Sequence, residues 1–360
     1  MSGDISFGFQ AAPASDVHKS DQALYREVME DCGLCHKLGY DAAWLLEHHF
    51  SDYYPTPSPL LFMAHIAAAY PELSLGTSVL VLPWYHPVRL AEEIAMLNSM
   101  TKGTLHLGIG RGTAKMEYDA YNVDMNEARA RFAECYRIME KGLSGETFTH
   151  DGRFWKIDKP IRLRPEKVDK KIHFYGAIGS PASAEVMGEL GIAPICLATF
   201  PDKLLARILE RWRARAGAKA DGAILPISVK MFIADTDEEA RALGRQFYPP
   251  YFELQCNHYE SDANPWADIP EYQDFSRMFA NLRKLTDPGE LGPFLDSNLV
   301  GSVETICRRI DQLAALGFNY FMVSCATPGT PIELRQRMMT RFAEDVCPRY
   351  SSAMRKKRAA

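Results

Sequence analysis

The sequence predicts an α/β chain with the strand count of a TIM (β/α)8 barrel. Three observations carry this expectation. Eight short apolar runs punctuate the chain, amphipathic stretches of helical period lie between them, and 360 residues suit a barrel with insertions better than an ordinary domain. Alternating strands and helices imply a parallel sheet. Counting strands does not show whether that sheet closes, so an open doubly wound sheet is the alternative at this level.

The strand-like runs are 5–9, 43–46, 74–82, 104–109, Ile172–Ala177, 192–197, 224–234 and Tyr320–Ser324. Each is apolar on both alternating faces, as expected for strands covered on both sides. The helical stretch Asp21–Leu38 opens on an acidic residue and stops at Gly39, a natural C-terminal stop. Pro87–Met100 starts with proline, whose missing N–H costs nothing in a first turn. Residues 126–143 are amphipathic, and 302–316 run from a Ser cap to Gly317. Two stretches break the alternation. Residues 145–165 read as a hairpin excursion. Residues 256–298 are long, polar and rich in Pro, Asp and Asn, which suggests a mobile lid. The chain 1–360 reads as one domain carrying these insertions.

Composition removes several function classes. The formal charge is −5, with no basic face for nucleic acid. The cluster Arg355-Lys356-Lys357-Arg358, within the tail 352–360, reads as a solvated, frayed end. The N-terminus shows no basic-then-apolar leader, and no run of eighteen apolar residues occurs, so a cytoplasmic protein without membrane attachment is expected. Its eight cysteines are then reduced thiols that fill the core. Cys32-Gly33-Leu34-Cys35-His36 matches the c-type haem pattern. It lies inside an amphipathic helix in a chain with no export signal, so helix cysteines are the better account.

Four motifs bear on chemistry. Glu47-His48-His49-Phe50 ends the second strand, the end that faces the active site of a barrel. Histidine exchanges protons near neutral pH, but on this motif alone one packed and one exposed histidine is the better account. Adjacent histidines on extended chain point apart, so no metal site is expected there. Gly108-Ile109-Gly110-Arg111-Gly112 follows the fourth strand. Thr113 interrupts the dinucleotide fingerprint, but glycines bracketing an arginine also suit close approach of a phosphate. A plain structural turn is an equal alternative. Gly179-Ser180-Pro181-Ala182-Ser183 opens a helix, where backbone N–H groups favour an anion. An ordinary Ser cap with Pro just inside the helix is the better account of these residues alone. Trp84 and Tyr85 end the third strand and either line a pocket or cap the barrel.

Taken together, these motifs resemble the bacterial-luciferase-like family of flavin-dependent monooxygenases. The stretches that match are 44–50 (Trp-Leu-Leu-Glu-His-His-Phe), 75–77 through 81–83, 86–89 (His-Pro-Val-Arg), 100–103 (Met-Thr-Lys-Gly), 108–112 and 300–302. The likeness spans roughly residues 4–348. It implies a TIM barrel that binds FMN at its C-terminal mouth. It further implies His48 as the catalytic histidine, Arg111 as phosphate ligand, Ser180 and Ser183 as phosphate anchors beside Gly179, and Glu117 near the cofactor. Ser78–Val79 falls where such barrels carry a non-proline cis peptide against the flavin. Phe247, Tyr248, Tyr251, Trp84 and Tyr85 are expected to wall the substrate pocket.

The implied activity is that of the oxygenase of a two-component system. A separate reductase supplies reduced FMN, oxygen adds at the flavin C4a position, and a small, apolar, aldehyde- or ketone-like molecule is oxygenated. A homodimer through helices near the second and third strands is expected. Gly110, Ala198 and Gly179 stand where luciferases carry a cysteine, a tryptophan and an acidic residue, so a light-emitting enzyme is not expected. The alternatives are an F420-dependent oxidoreductase of the same superfamily and a non-catalytic flavin-binding subunit.

Overall fold

A computed structural model of the chain describes residues 4–14, 19–166 and 172–359. Eleven strands are described in chain order: β1 (Ser6–Gln10), β2 (Ala42–Leu45), β3 (Ser74–Val81), β4 (Leu105–Gly110), β5 (Phe148–Asp151), β6 (Lys156–Ile161), β7 (Ile172–Ala177), β8 (Ala193–Leu197), β9 (Pro226–Ile233), β10 (Leu299–Gly301) and β11 (Tyr320–Ser324). Eight of them form one parallel ring, β1-β2-β3-β4-β7-β8-β9-β11, which closes back on β1. This is the TIM barrel, and its eight strands are the eight apolar runs of the sequence. Closure excludes the open doubly wound sheet. Two elements stand outside the ring. β10 pairs with the end of β9, and β5–β6 form the antiparallel hairpin foreseen at 145–165.

The barrel closes because its N-terminal half is filled by large side chains. Trp44, Tyr175 and Tyr320 are almost fully buried inside it. Trp44 Nε1 donates to Tyr320 Oη at 3.1 Å, and His106 Nδ1 meets Tyr175 Oη at 3.0 Å. Trp44 fits only because both flanking strands carry glycine beside it. A Cβ at Gly8 or Gly76 would lie 2.5 or 2.6 Å from its indole. Outside the ring the helices end as the sequence marks them. Ser20 and Ser302 cap Asp21–Leu38 and Val303–Leu316, and Gly39 and Gly317 stop them at φ 87° and 117°. All eight cysteines are buried free thiols, Cys32 and Cys35 among them.

Two expectations are corrected. The 256–298 segment is not an irregular loop. It continues from the helix Asp237–His258 through short helical turns, including Pro270–Tyr272, Gln273–Phe279 and Gly292–Ser297, around the buried side chains of Trp266, Leu282 and Leu291. The tail is not frayed either. It forms the helix Ser352–Ala359 with Met354 buried, while the side chains of Lys357 and Arg358 lie outside the described residues. Among the described residues, no helix is long and apolar enough to cross a membrane.

Candidate active site

A cavity of about 260 Å³ opens at the C-terminal end of the barrel strands, beneath the 256–298 segment. In such barrels the C-terminal ends carry the variable loops that build active sites. The cavity has three functional regions.

The first is a flat wall on β3 and β4. The Ser78–Val79 peptide is cis, at the point where the register between the two strands shifts. Both residues line the cavity. The opposing strand accommodates them with glycines. A Cβ at Gly108 would sit 2.2 Å from the Thr77 carbonyl oxygen, and one at Gly110 would sit 2.6 Å from Val79 Cγ2. Gly110 therefore makes room for Val79, not for an anion. Gly112 does provide a turn, at φ 76°.

The second region is a cationic corner. Arg111, Gly179 and Ser183 line the cavity together, although 68 residues or more separate the arginine from the other two. Gly179 precedes the helix Pro181–Leu190, so the first N–H groups of that helix point toward this corner. Ser180 lies just behind. Its Oγ accepts from Ser183 N at 3.3 Å as the helix cap and contacts Ser183 Oγ at 3.2 Å. The cap reading thus holds for Ser180, while Ser183 alone of the two faces the cavity. Arg111 is engaged by the covering segment. Its Nη1 lies 3.2 Å from Glu271 Oε2, and its guanidinium sits 4.9 Å above the Tyr272 ring. Glu271 Oε2 is shared with Arg129 Nε at 3.1 Å. Tyr272 Oη donates to the Gly112 carbonyl and Trp266 Nε1 to the Thr113 carbonyl, which docks the segment onto the loop after β4.

The third region is a cluster of titratable side chains. His48 lies just beyond β2 and lines the cavity, with its ring 4.7 Å from Tyr53 and 4.8 Å from His258. Burial, followed by the neighbouring His258 and His49, holds its pKa well below the ordinary histidine value, so the ring is neutral. His258 is fully buried. Ser51 Oγ contacts its Nδ1 at 2.7 Å, and its Nε2 faces Glu117 Oε1 at 3.5 Å. Burial lowers its pKa to about 4. Glu117 Oε1 also accepts from His49 N at 2.8 Å, and burial raises the carboxyl to about 8. The proton-exchanging atoms of His48, Glu117 and His258 all lie within 4.8 Å of one another. By residue type the trio could also hold a metal ion. The sequence argument against metal weighed only the adjacent pair His48 and His49, and His258 arrives from 210 positions further along the chain.

Several residues expected to wall the pocket serve instead as support. Tyr85 Oη donates to Glu47 Oε1 at 2.9 Å, and Trp84 stacks on Tyr121 behind Gly112. Neither lines the cavity. Phe247 stacks on Phe232, and Tyr248 packs edge-on against Phe232 and Phe294. On that helix the cavity-lining stripe is Tyr251, Gln255 and Tyr259, spaced by four as a helix face requires. Two further residues of the site escaped sequence analysis, Lys230 on the cavity wall and His258 buried behind His48. His258 carried no local signal. Lys230 did, as a cation inside the apolar run 226–233, and burial lowers it to about 8.

The sequence model of the family described as luciferase-like monooxygenase matches residues 5–320. Protein y4vJ of Sinorhizobium fredii is 41% identical over 149 residues, which are 41% of this chain and 42% of that protein. The oxygenase component of the flavin-dependent trigonelline monooxygenase of Acinetobacter baylyi is 23% identical over 93% of this chain and 92% of its own. Among solved structures, monooxygenase RslO1 of Streptomyces bottropensis superposes at TM-score 0.81 with 23% identity, covering 96% of this chain and all of that one. The oxygenating constituent of 3,6-diketocamphane monooxygenase from Pseudomonas putida, in complex with FMN, gives 0.72 at 21% identity over 96% and 98%. An F420-dependent secondary alcohol dehydrogenase also gives 0.72, at 15% over 95% and 98%, so the fold is common to both cofactor types. By the match over residues 5–320, this chain belongs to the luciferase-like monooxygenase family.

Proposed function

We propose that the chain is the oxygenase component of a two-component monooxygenase that takes reduced FMN from a separate reductase. The carrying observation is convergence. A cationic corner, a flat wall and a neutral histidine line one cavity. The donor set fits FMN. Arg111, Ser183 and the N–H groups near Gly179 would hold the phosphate, and Ser78–Val79 would support the ring. Bound reduced FMN supplies the reducing power and the site of oxygen addition.

The chain's own residues do the rest. His48, neutral and lining the cavity, exchanges a proton with the reacting oxygen. Glu117 and His258 keep a mobile proton next to it. The apolar cover of Phe275, Met278 and Phe279 excludes water. The other walls, Ile195, Leu197 and Phe200, favour a small organic substrate with an apolar body.

A reductase partner is supported by the trigonelline relative, which is named as an oxygenase component. A homodimer is supported by exposed Leu61, Met96 and Met100 on the two helices that follow β2 and β3. Sedimentation of the purified chain tests the dimer.

Anaerobic titration with photoreduced FMN, followed by mixing with aerated buffer, tests the reading. The expected result is tight binding and re-oxidation far slower than that of free reduced FMN. Failure to bind FMN alongside tight binding of F420 would move the chain to the hydride-transferring branch. Binding with re-oxidation as fast as in solution would leave a flavin carrier.

A further inference from the structure

Lys230 stands on β9, and in the ring β1-β2-β3-β4-β7-β8-β9-β11 that strand is diametrically opposite β3. The cavity therefore has Ser78–Val79 on one wall and the Lys230 ammonium on the other. Nothing in the flavin reading uses Lys230. Its Nζ reaches Tyr54 Oη at 3.3 Å and lies 5.3 and 4.7 Å from the centroids of the Tyr54 and Tyr251 rings. Among the described residues, no carboxylate lies within ion-pairing distance of it. Tyr54 Oη itself donates to the Ala326 carbonyl, so the lysine meets a lone pair there and nothing more acidic. Ser228 and Gln10, bonded to each other at 3.0 Å, bring the neighbouring polar groups to the same side of the cavity.

Lys230 is half-buried at the cavity wall; an ammonium partly stripped of water without a counter-charge is costly, and aromatic faces offset only part of that cost. A purely apolar aldehyde would leave it unpaired and bury it further. An anionic oxygen on the substrate would satisfy its remaining N–H groups and orient the apolar body between the two walls.

We propose that Lys230 is a substrate-anchoring residue and that the substrate is a small organic acid, a planar or apolar body bearing one carboxylate. This rests on the proposed flavin site only for which wall the substrate takes. The recognition itself concerns Lys230 alone. A site built to pair a buried charge rejects analogues that lack the partner, so the acid group should dominate selection.

Equilibrium binding tests this without turnover. Benzoate, cinnamate and 1-naphthoate, with their primary amides, are titrated calorimetrically into wild type, Lys230→Met and Lys230→Arg, each with FMN present and again without it. Circular dichroism establishes that the variants fold. The expected result is at least a tenfold preference of wild type for acid over amide in one or more pairs. The preference should vanish in Lys230→Met and persist in Lys230→Arg, with FMN affinity changed by less than twofold throughout. Equal binding of acids and amides, no binding of any probe at 10 mM, or an undiminished preference in Lys230→Met would overturn the proposal. Loss of FMN binding in all three proteins while the acid preference persists would sink the flavin reading and leave this one standing.

Discussion

Replacing Glu117 by Gln should flatten the pH dependence of stability between pH 6.5 and 8. Burial raises the folded-state carboxyl from 4.5 to about 8. The native state therefore keeps a proton that the unfolded chain releases, and this contribution is full below 4.5 and lost as pH rises through 8. Each pH unit within that window removes about 1.4 kcal/mol. His258 works in the opposite sense. Its pKa falls from 6.5 to about 4, so its contribution is present above 6.5 and lost as pH drops through 4. The two nearly cancel between 4.5 and 6.5, and above 6.5 Glu117 acts with little opposition. Allowing for partial ionisation near pH 8, wild type should lose about 1.5 kcal/mol relative to the variant over that interval. Gln keeps an oxygen for the His49 N–H, so the local fold survives. Urea unfolding of both proteins at pH 6.5 and 8, without added flavin, gives the difference directly. A gap that stays constant, or that narrows as pH rises, would mean that Glu117 is ionised throughout and paired with a charged His258.

Arg111→Ala should weaken reduced-FMN binding by about 2 kcal/mol, roughly thirtyfold. Glu271→Gln should tighten it severalfold, because Glu271 now occupies the same guanidinium; fluorescence titration of both variants checks the pair, and equal effects in one direction would refute the competition. His48→Ala should bind reduced FMN within threefold of wild type yet form oxygenated product at least about 100-fold more slowly, with the reducing equivalents appearing as hydrogen peroxide. Gly108→Ala places a methyl against the Thr77 carbonyl and should destabilise the fold by about 2 kcal/mol, read from the urea midpoint.

The barrel was legible because strands buried on both faces write their pattern in every residue. All eight runs in the sequence became ring strands within two residues at each end. The 256–298 segment was not, since its short helical turns are too brief to show a period and are held by contacts to distant residues, such as Trp266 to Thr113. The site divides in the same way. Residues just beyond strands, such as His48 and Arg111, were found because the fold fixes where strand ends face. Trp84 and Tyr85 misled because the turn Leu82–Trp84 swings the chain outward immediately after β3. Tyr248 misled because its ring is turned into the packing between Phe232 and Phe294 although its helix position is close to the Tyr251 stripe. His258 meets His48 only through the tertiary path of a 22-residue helix, which no local pattern encodes.

The packed layer of Trp44, Tyr175 and Tyr320 has a kinetic consequence. It makes the reaction chamber a dead end, sealed at the strand N-termini. In the proposed reading, flavin and substrate then both enter from the strand C-termini, the end covered by residues 256–298. Two molecules entering from one end cannot arrive in arbitrary order. Whichever lies deeper has to load first and leave last, and excess of the shallower one should trap the deeper one inside.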